Sequence, residues 1–132
     1  MPSSFPQAIP EIPVTNVDRA ADYYVRCLGF TFDWGNNEGG IGGISQDGCR
    51  IFLTNAGFRR QYGTAGPATI WLNRNSKAEV DELYERWKQN GATFEAEPQD
   101  KPWHLREFIA TDPDRNQLRV FYDFSSDQDE ES

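Results

Sequence analysis

The sequence predicts an α+β domain built from two tandem βαβββ modules whose half-sheets meet around a shared cleft. Two observations carry this. Amphipathic helical patterns run from about Val17 to Leu28 and from about Lys77 to Asn90, each after a short extended segment and each followed by a glycine. The text after each helix then nearly repeats: Phe30-Thr31-Phe32-Asp33 against Ala92-Thr93-Phe94-Glu95, and later Arg50-Ile51-Phe52 against Arg119-Val120-Phe121. The repeat is about 60 residues long and occurs twice, too few units for a solenoid.

The modules are expected at 7–55 and 67–124 of a single 132-residue domain, with 125–132 as a disordered acidic tail that lacks apolar residues. Ala8 to Val14 reads as the first extended segment. In the first helix Val17, Ala20, Ala21, Tyr24 and Leu28 recur at helical spacing, Thr15 or Asn16 can cap it, and Gly29 stops it. Glu38 to Gly43 is glycine-rich, but no strand leads in and no helix leaves as a phosphate loop requires, so it reads as a hairpin turn. Thr54 to Pro67 has three glycines and no apolar periodicity, which marks the linker between modules.

In the second module Ala68 to Asn73 is the leading extended segment. Ser76 and Glu79 form a capping box, Val80, Leu83, Tyr84 and Trp87 make the apolar stripe, and Gly91 ends the helix. The last hairpin reads as a strand (Arg106 to Thr111), a polar turn (Asp112 to Asn116) and a strand (Gln117 to Tyr122).

Composition excludes several classes. With 37% apolar but 14% aromatic residues, rings must carry much of the core. A formal net charge of −8 opposes a nucleic-acid partner, whose phosphates demand basic surface, and accords with a cationic small molecule or simply with solubility. No apolar run of about 18 residues marks a membrane span, and the first residues lack a basic region followed by an apolar one. The two cysteines, Cys27 and Cys49, are too few for a disulfide framework and have no metal spacing. A cytoplasmic location with reduced thiols is expected.

The pattern Val14-x-x-Val17-x-x-Ala20-x-x-Tyr23-Tyr24-x-x-x-Leu28-Gly29-Phe30, taken with Pro102 to Tyr122, resembles the vicinal oxygen chelate superfamily of glyoxalase, bleomycin-resistance and extradiol-dioxygenase proteins. The resemblance covers nearly the whole chain and is nearest to the bleomycin-resistance-like members. It implies a cupped mixed sheet around a cleft with helices outside, and a homodimer. In such dimers the N-terminal arm is often exchanged, for which Pro2, Pro6, Pro10 and Pro13 would give a stiff extended segment. The family turn usually carries glycine where Arg115 stands; a non-glycine residue at positive φ there costs on the order of 1 kcal/mol, and Asn116 is expected to take over that conformation.

The metal-dependent members draw one ligand from each of four strands. Carried over position by position, those places are held here by Ile9, Phe52, Pro67 and Arg119. None is an imidazole, carboxylate or thiolate donor, and the arginine repels a cation. The single histidine, His104, falls outside all four, so no metal and no other cofactor is expected.

Strand alternation suggests what the cleft holds instead. Glu11 shares a face with Ile9, and Arg50 with Phe52; Trp71 shares a face with Thr69, and Arg119 with Gln117 and Phe121. Trp34 and Trp103 lie near strand ends, where they could wall the opening. The candidate ligand-binding set is therefore Glu11, Trp34, Phe52, Trp71, Trp103, Arg106 and Arg119, with no catalytic residue named. Two alternatives stay open for its members. The tryptophans serve either ligand stacking or core packing. Arg106 and Arg119 either fork onto ligand oxygens or form ion pairs with Glu107, Glu11 or Asp112.

The sequence thus favours a non-catalytic protein that sequesters a bulky, aromatic, cationic small molecule in an aromatic cleft. The alternative is a metal-dependent lyase, isomerase or oxygenase that recruits unusual ligands such as His104, Glu11 and Glu107. A dimeric scaffold whose own side chains fill the cleft is a third.

Overall fold

The computed structural model describes residues 6–60 and 66–127. In the first module, β1 (Glu11–Pro13), α1 (Val17–Leu28), β2 (Thr31–Asn36), β3 (Ile41–Gln46) and β4 (Cys49–Thr54) follow one another. After a short helix, α2 (Ala56–Arg59), the second module repeats the order with β5 (Thr69–Asn73), α3 (Lys77–Gln89), β6 (Thr93–Asp100), β7 (Leu105–Thr111) and β8 (Gln117–Asp123). Two four-stranded mixed sheets result, ordered β1-β4-β3-β2 and β5-β8-β7-β6. β1 runs parallel to β4 and β5 parallel to β8; the other pairs are antiparallel. The duplication in the text is therefore a duplication of topology.

Local chemistry sets the boundaries. Asn16 caps α1 by accepting from the Arg19 N–H, and Gly29 ends it in the left-handed conformation with φ of 79°. Ser76 caps α3 through the Glu79 N–H, while the Glu79 carboxylate accepts from the Asn75 N–H. Both second strands carry a bulge at matching places, between Phe32 and Trp34 in β2 and between Phe94 and Ala96 in β6. These bulges keep Phe32 and Phe94 turned to the helices and send the next ring-bearing position of β2, Trp34, to the other face.

One apolar cluster spans both modules. It joins Ile12, Ile44, Ile51 and Leu53 with Val17, Tyr24 and Leu28, and continues through Val80, Trp87, Phe108, Leu118 and Val120. Trp87 and Tyr84 of α3 meet the Phe108 ring edge-on at 5.7 and 5.4 Å. Each fully buried apolar side chain of the cluster, Phe108 among them, contributes about 1.5–3 kcal/mol.

The modules are also tied by a buried polar knot at the last turn. Asp112 accepts through Oδ1 from the Asp114 and Asn116 N–H groups, and through Oδ2 from the Tyr24 hydroxyl (2.9 Å) and the Asn116 side-chain amide. Asn116 also donates to the Pro13 carbonyl at 2.8 Å and accepts from the Ala68 N–H at 2.7 Å. One side chain thus touches the strand entering α1 and the strand entering α3. Beside it Tyr23 donates to the Thr111 carbonyl and accepts from the Thr93 N–H.

Several expectations need correction. Arg115 itself adopts the positive φ, at 70°, so Asn116 does not take over the glycine's role; Asn116 is committed to the knot instead. Gly42 and Gly43 belong to β3 rather than to a turn, because bare backbone there lets Val17 and Trp34 approach closely. The linker contains α2, capped by Asn55. Pro2 and residues 128–132 of the acidic tail lie outside the described residues. Among the described residues no helix is long and apolar enough to cross a membrane.

Burial, and after it the Asp112 carboxylate, pushes the Tyr24 hydroxyl well above the ordinary tyrosine range. Tyr24→Phe should therefore lower unfolding free energy by about 1.5–3 kcal/mol near pH 7, measured by denaturant titration. The folded pKa lies above the unfolded one, so this contribution is complete below about pH 10 and is lost as pH rises from there. The gap between wild type and variant should narrow through that window.

Candidate functional site

Each sheet turns one face to the helices and leaves the other open, and six of the seven predicted residues lie toward the open sides. In the first sheet the register aligns Glu11, Phe52, Gly43 and Trp34 in one row across four strands. Phe52 points outward because its neighbours Ile51 and Leu53 fill the core. The Trp34 and Phe52 rings meet edge-on at 5.2 Å, and the Arg50 guanidinium lies 5.7 Å from the Phe52 centroid. Trp34 lies against the bare backbone of Gly43, where any Cβ would collide with the indole Nε1. Glu11 ends the row, its carboxylate accepting from the Thr54 hydroxyl at 2.9 Å.

The second sheet carries the denser cluster. Trp71 pairs in register with Arg119, whose guanidinium carbon sits 4.5 Å from the Trp71 ring centroid. Phe121 meets Trp71 edge-on at 5.6 Å. Arg119 donates through Nε (3.2 Å) and Nη2 (2.7 Å) to Oε1 of Glu107. The other Glu107 oxygen accepts from the Trp103 indole N–H at 3.1 Å. Glu107 is 1% exposed, so this carboxylate is buried with both oxygens engaged.

Arg106 lies elsewhere. It alternates with Glu107 and shares the helix-facing side of β7 with Phe108, where it pairs with Asp81 of α3 at 2.9 Å and with Asp100 of β6 at 3.0 Å. The structure thus removes it from the open face and assigns it to ion pairing. Of the open ion-pair alternatives for Arg119, the partner is Glu107. Trp34, Trp71 and Trp103 are 38%, 48% and 58% exposed, whereas Trp87 is the tryptophan of the core.

A cavity of about 650 Å³ lies between the modules, where Ile9, Pro10 and Arg50 of the first meet Ile70, Trp71 and Leu72 of the second; of the candidate residues only Trp71 lines it. The metal-binding positions implied by the resemblance do not fit an ion. Ile9 and Phe52 offer carbon, Pro67 has no donor side chain, and Arg119 brings a cation already bound to Glu107. Among the described residues no three histidine, cysteine or acidic side chains gather as a metal site. His104 sits at φ of 68° ahead of β7, its ring tilted against Phe124 at 5.6 Å.

Sequence reasoning undervalued Glu107 and Gly43. For Glu107 a signal existed: once the turn closes Thr111 against Gln117, Arg119 falls opposite Ile109 and Glu107 one step along the same face. For Gly43, position in a strand was hidden by its neighbours in a glycine-rich run. Gly43→Val should displace the Trp34 indole, costing about 1–3 kcal/mol of stability and removing the Trp34 contribution to near-ultraviolet circular dichroism. An unchanged spectrum would contradict the packing of Trp34 on Gly43.

Comparisons agree with this architecture. The family model for the Glyoxalase/Bleomycin resistance protein/Dioxygenase superfamily matches residues 7–120. Curated relatives include a bleomycin resistance protein of Geobacillus stearothermophilus and one of Staphylococcus aureus, each 29% identical over 91% of this chain and 98% of the relative. Among solved structures, TioX from Micromonospora sp. ML1 aligns with a TM-score of 0.73 and 23% identity, over 89% of this chain and 99% of that one. A lactoylglutathione lyase from Agrobacterium tumefaciens aligns with a TM-score of 0.74 and 18% identity, over 92% and 95%. At those identities the structural likeness concerns the fold. The chain belongs to the glyoxalase/bleomycin resistance protein/dioxygenase superfamily.

Proposed function

We propose that this protein is a non-catalytic binder that sequesters a bulky, aromatic, cationic small molecule, as a cytoplasmic homodimer. The observation that carries the proposal is the pair of open sheet faces set with Trp34, Phe52, Trp71 and Trp103, three of them tryptophans left exposed while Trp87 is buried. Exposed rings held on strands, or in the case of Trp103 by its bond to Glu107, are stacking surfaces, each worth about 0.5–2 kcal/mol to a cation above it. Glu11, at the end of the first row, is the carboxylate placed for a ligand amine, and the net charge of −8 favours a cation's approach. Curated relatives that carry the name bleomycin resistance protein support the ligand class.

A second copy is the proposed cover for these faces. Within one chain each face is open, and a ligand of drug size is usually enclosed over most of its surface. The unpaired thiols Cys27 and Cys49 accord with a reducing compartment. Metal-assisted lyase or oxygenase chemistry is not proposed, because Ile9, Phe52, Pro67 and Arg119 supply no donor set for an ion.

Calorimetric titration with bleomycin tests the proposal. Binding at micromolar Kd or tighter is expected, about 8 kcal/mol, with the drug recovered unaltered. Trp34→Ala and Trp71→Ala should each weaken it by about tenfold. No heat up to millimolar drug would remove the drug-binding claim, and sedimentation as a single 132-residue chain would remove the dimer.

A further inference from the structure

We propose that Glu107 sets the charge selectivity of the second module's open face. By cancelling Arg119 it makes the Trp71–Arg119 surface a subsite for an uncharged aromatic ring bearing a carbonyl oxygen, and it turns carboxylate-bearing rings away. The inference rests on the aromatic-binder function proposed above and names the chemistry of one part of the ligand.

An arginine on an open face ordinarily attracts carboxylates, because its planar fork matches their two oxygens. Here the fork is already used. Nε and Nη2 both point to Glu107 Oε1, the shorter bond being 2.7 Å. Glu107 is 1% exposed, so water screens its charge poorly and the pair acts on a ligand as a nearly neutral unit. The Trp103 indole N–H holds the second carboxylate oxygen at 3.1 Å, which fixes Glu107 in place. Trp71 fixes the guanidinium from its other side, at 4.5 Å.

What remains is an oriented donor without net charge. Arg119 Nη1 makes no hydrogen bond among the described residues, and the side chain is 25% exposed. A carbonyl oxygen can accept from Nη1 while its ring extends the stack beside Trp71 and Trp103. A carboxylate in the same place feels Glu107 as well as Arg119, loses its hydration, and is opposed by the chain's charge of −8. A protonated amine elsewhere on the ligand meets no uncompensated cation on this face, so the subsite is compatible with a cationic ligand.

The probes are 2-naphthamide and 2-naphthoate, which share a ring and differ at the acceptor group, titrated by calorimetry and tryptophan quenching. Wild-type protein should bind the amide about tenfold or more tightly than the carboxylate. Glu107→Gln leaves Arg119 uncompensated while keeping an acceptor oxygen for Trp103, and it should move the ratio at least tenfold toward naphthoate. Glu107→Gln combined with Arg119→Met strands no buried charge, and it should abolish the amide's hydrogen-bond advantage without inverting the order. The double variant remains decisive should the single one fail to fold.

Equal or tighter naphthoate binding by wild type, no naphthamide binding at all, or an unchanged ratio in folded Glu107→Gln would each overturn the proposal. Bleomycin titration separates it from the parent function. Drug binding without amide selectivity sinks this inference alone, and amide selectivity without drug binding sinks only the identity of the drug.

Discussion

The site depends on the buried bonding between Asp112 and Asn116. Asp112 gathers the Tyr24 hydroxyl and three N–H donors from its own turn, and Asn116 reaches Pro13 and Ala68 at once. Buried polar groups are costly unless every one is partnered, so this knot tolerates few arrangements. It fixes where β1 ends and β5 begins relative to each other, and those strands carry Glu11 and Trp71. The apolar cluster shared by both modules supplies the larger part of the stabilisation, but apolar contact is non-directional. Register between the modules comes from the hydrogen bonds.

The second constraint is the one that alters the chemistry. Of the four strand positions that the resemblance implied for a divalent ion, one is held by Arg119, which brings its own counter-ion in Glu107. A fixed internal ion pair and an ion site are mutually exclusive there, since a metal would have to displace a guanidinium from a buried carboxylate. The same arginine forms the Trp71–Arg119 surface.

Much of the fold was legible because it was written twice. Helix caps at Asn16 and Ser76, stops at Gly29 and Gly91, and the Asp112–Asn116 turn all act locally, and the structure realises them within a residue or so. The open-face placement of Glu11, Phe52, Trp71 and Arg119 followed from period-two alternation. Alternation failed where it was interrupted. The β2 bulge sends Phe32 and Trp34 to opposite faces, and no local residue preference announces it. Arg106 was misplaced for a different reason: of its ion partners, Asp81 comes from α3 and is brought near only by packing, and Asp100 faces it only through the β6–β7 register. Glu107 needed the hairpin register, which the turn implies only once its closing pair is known.

The most direct test of the account is a crystal structure of the protein grown with bleomycin in metal-containing buffer. The account predicts drug rings stacked on Trp34, Phe52 or the Trp71–Arg119 surface, intact drug, and the Arg119–Glu107 pair still closed. A metal ion bound by protein atoms at the Ile9, Phe52, Pro67 and Arg119 positions, or a chemically converted ligand there, would contradict it.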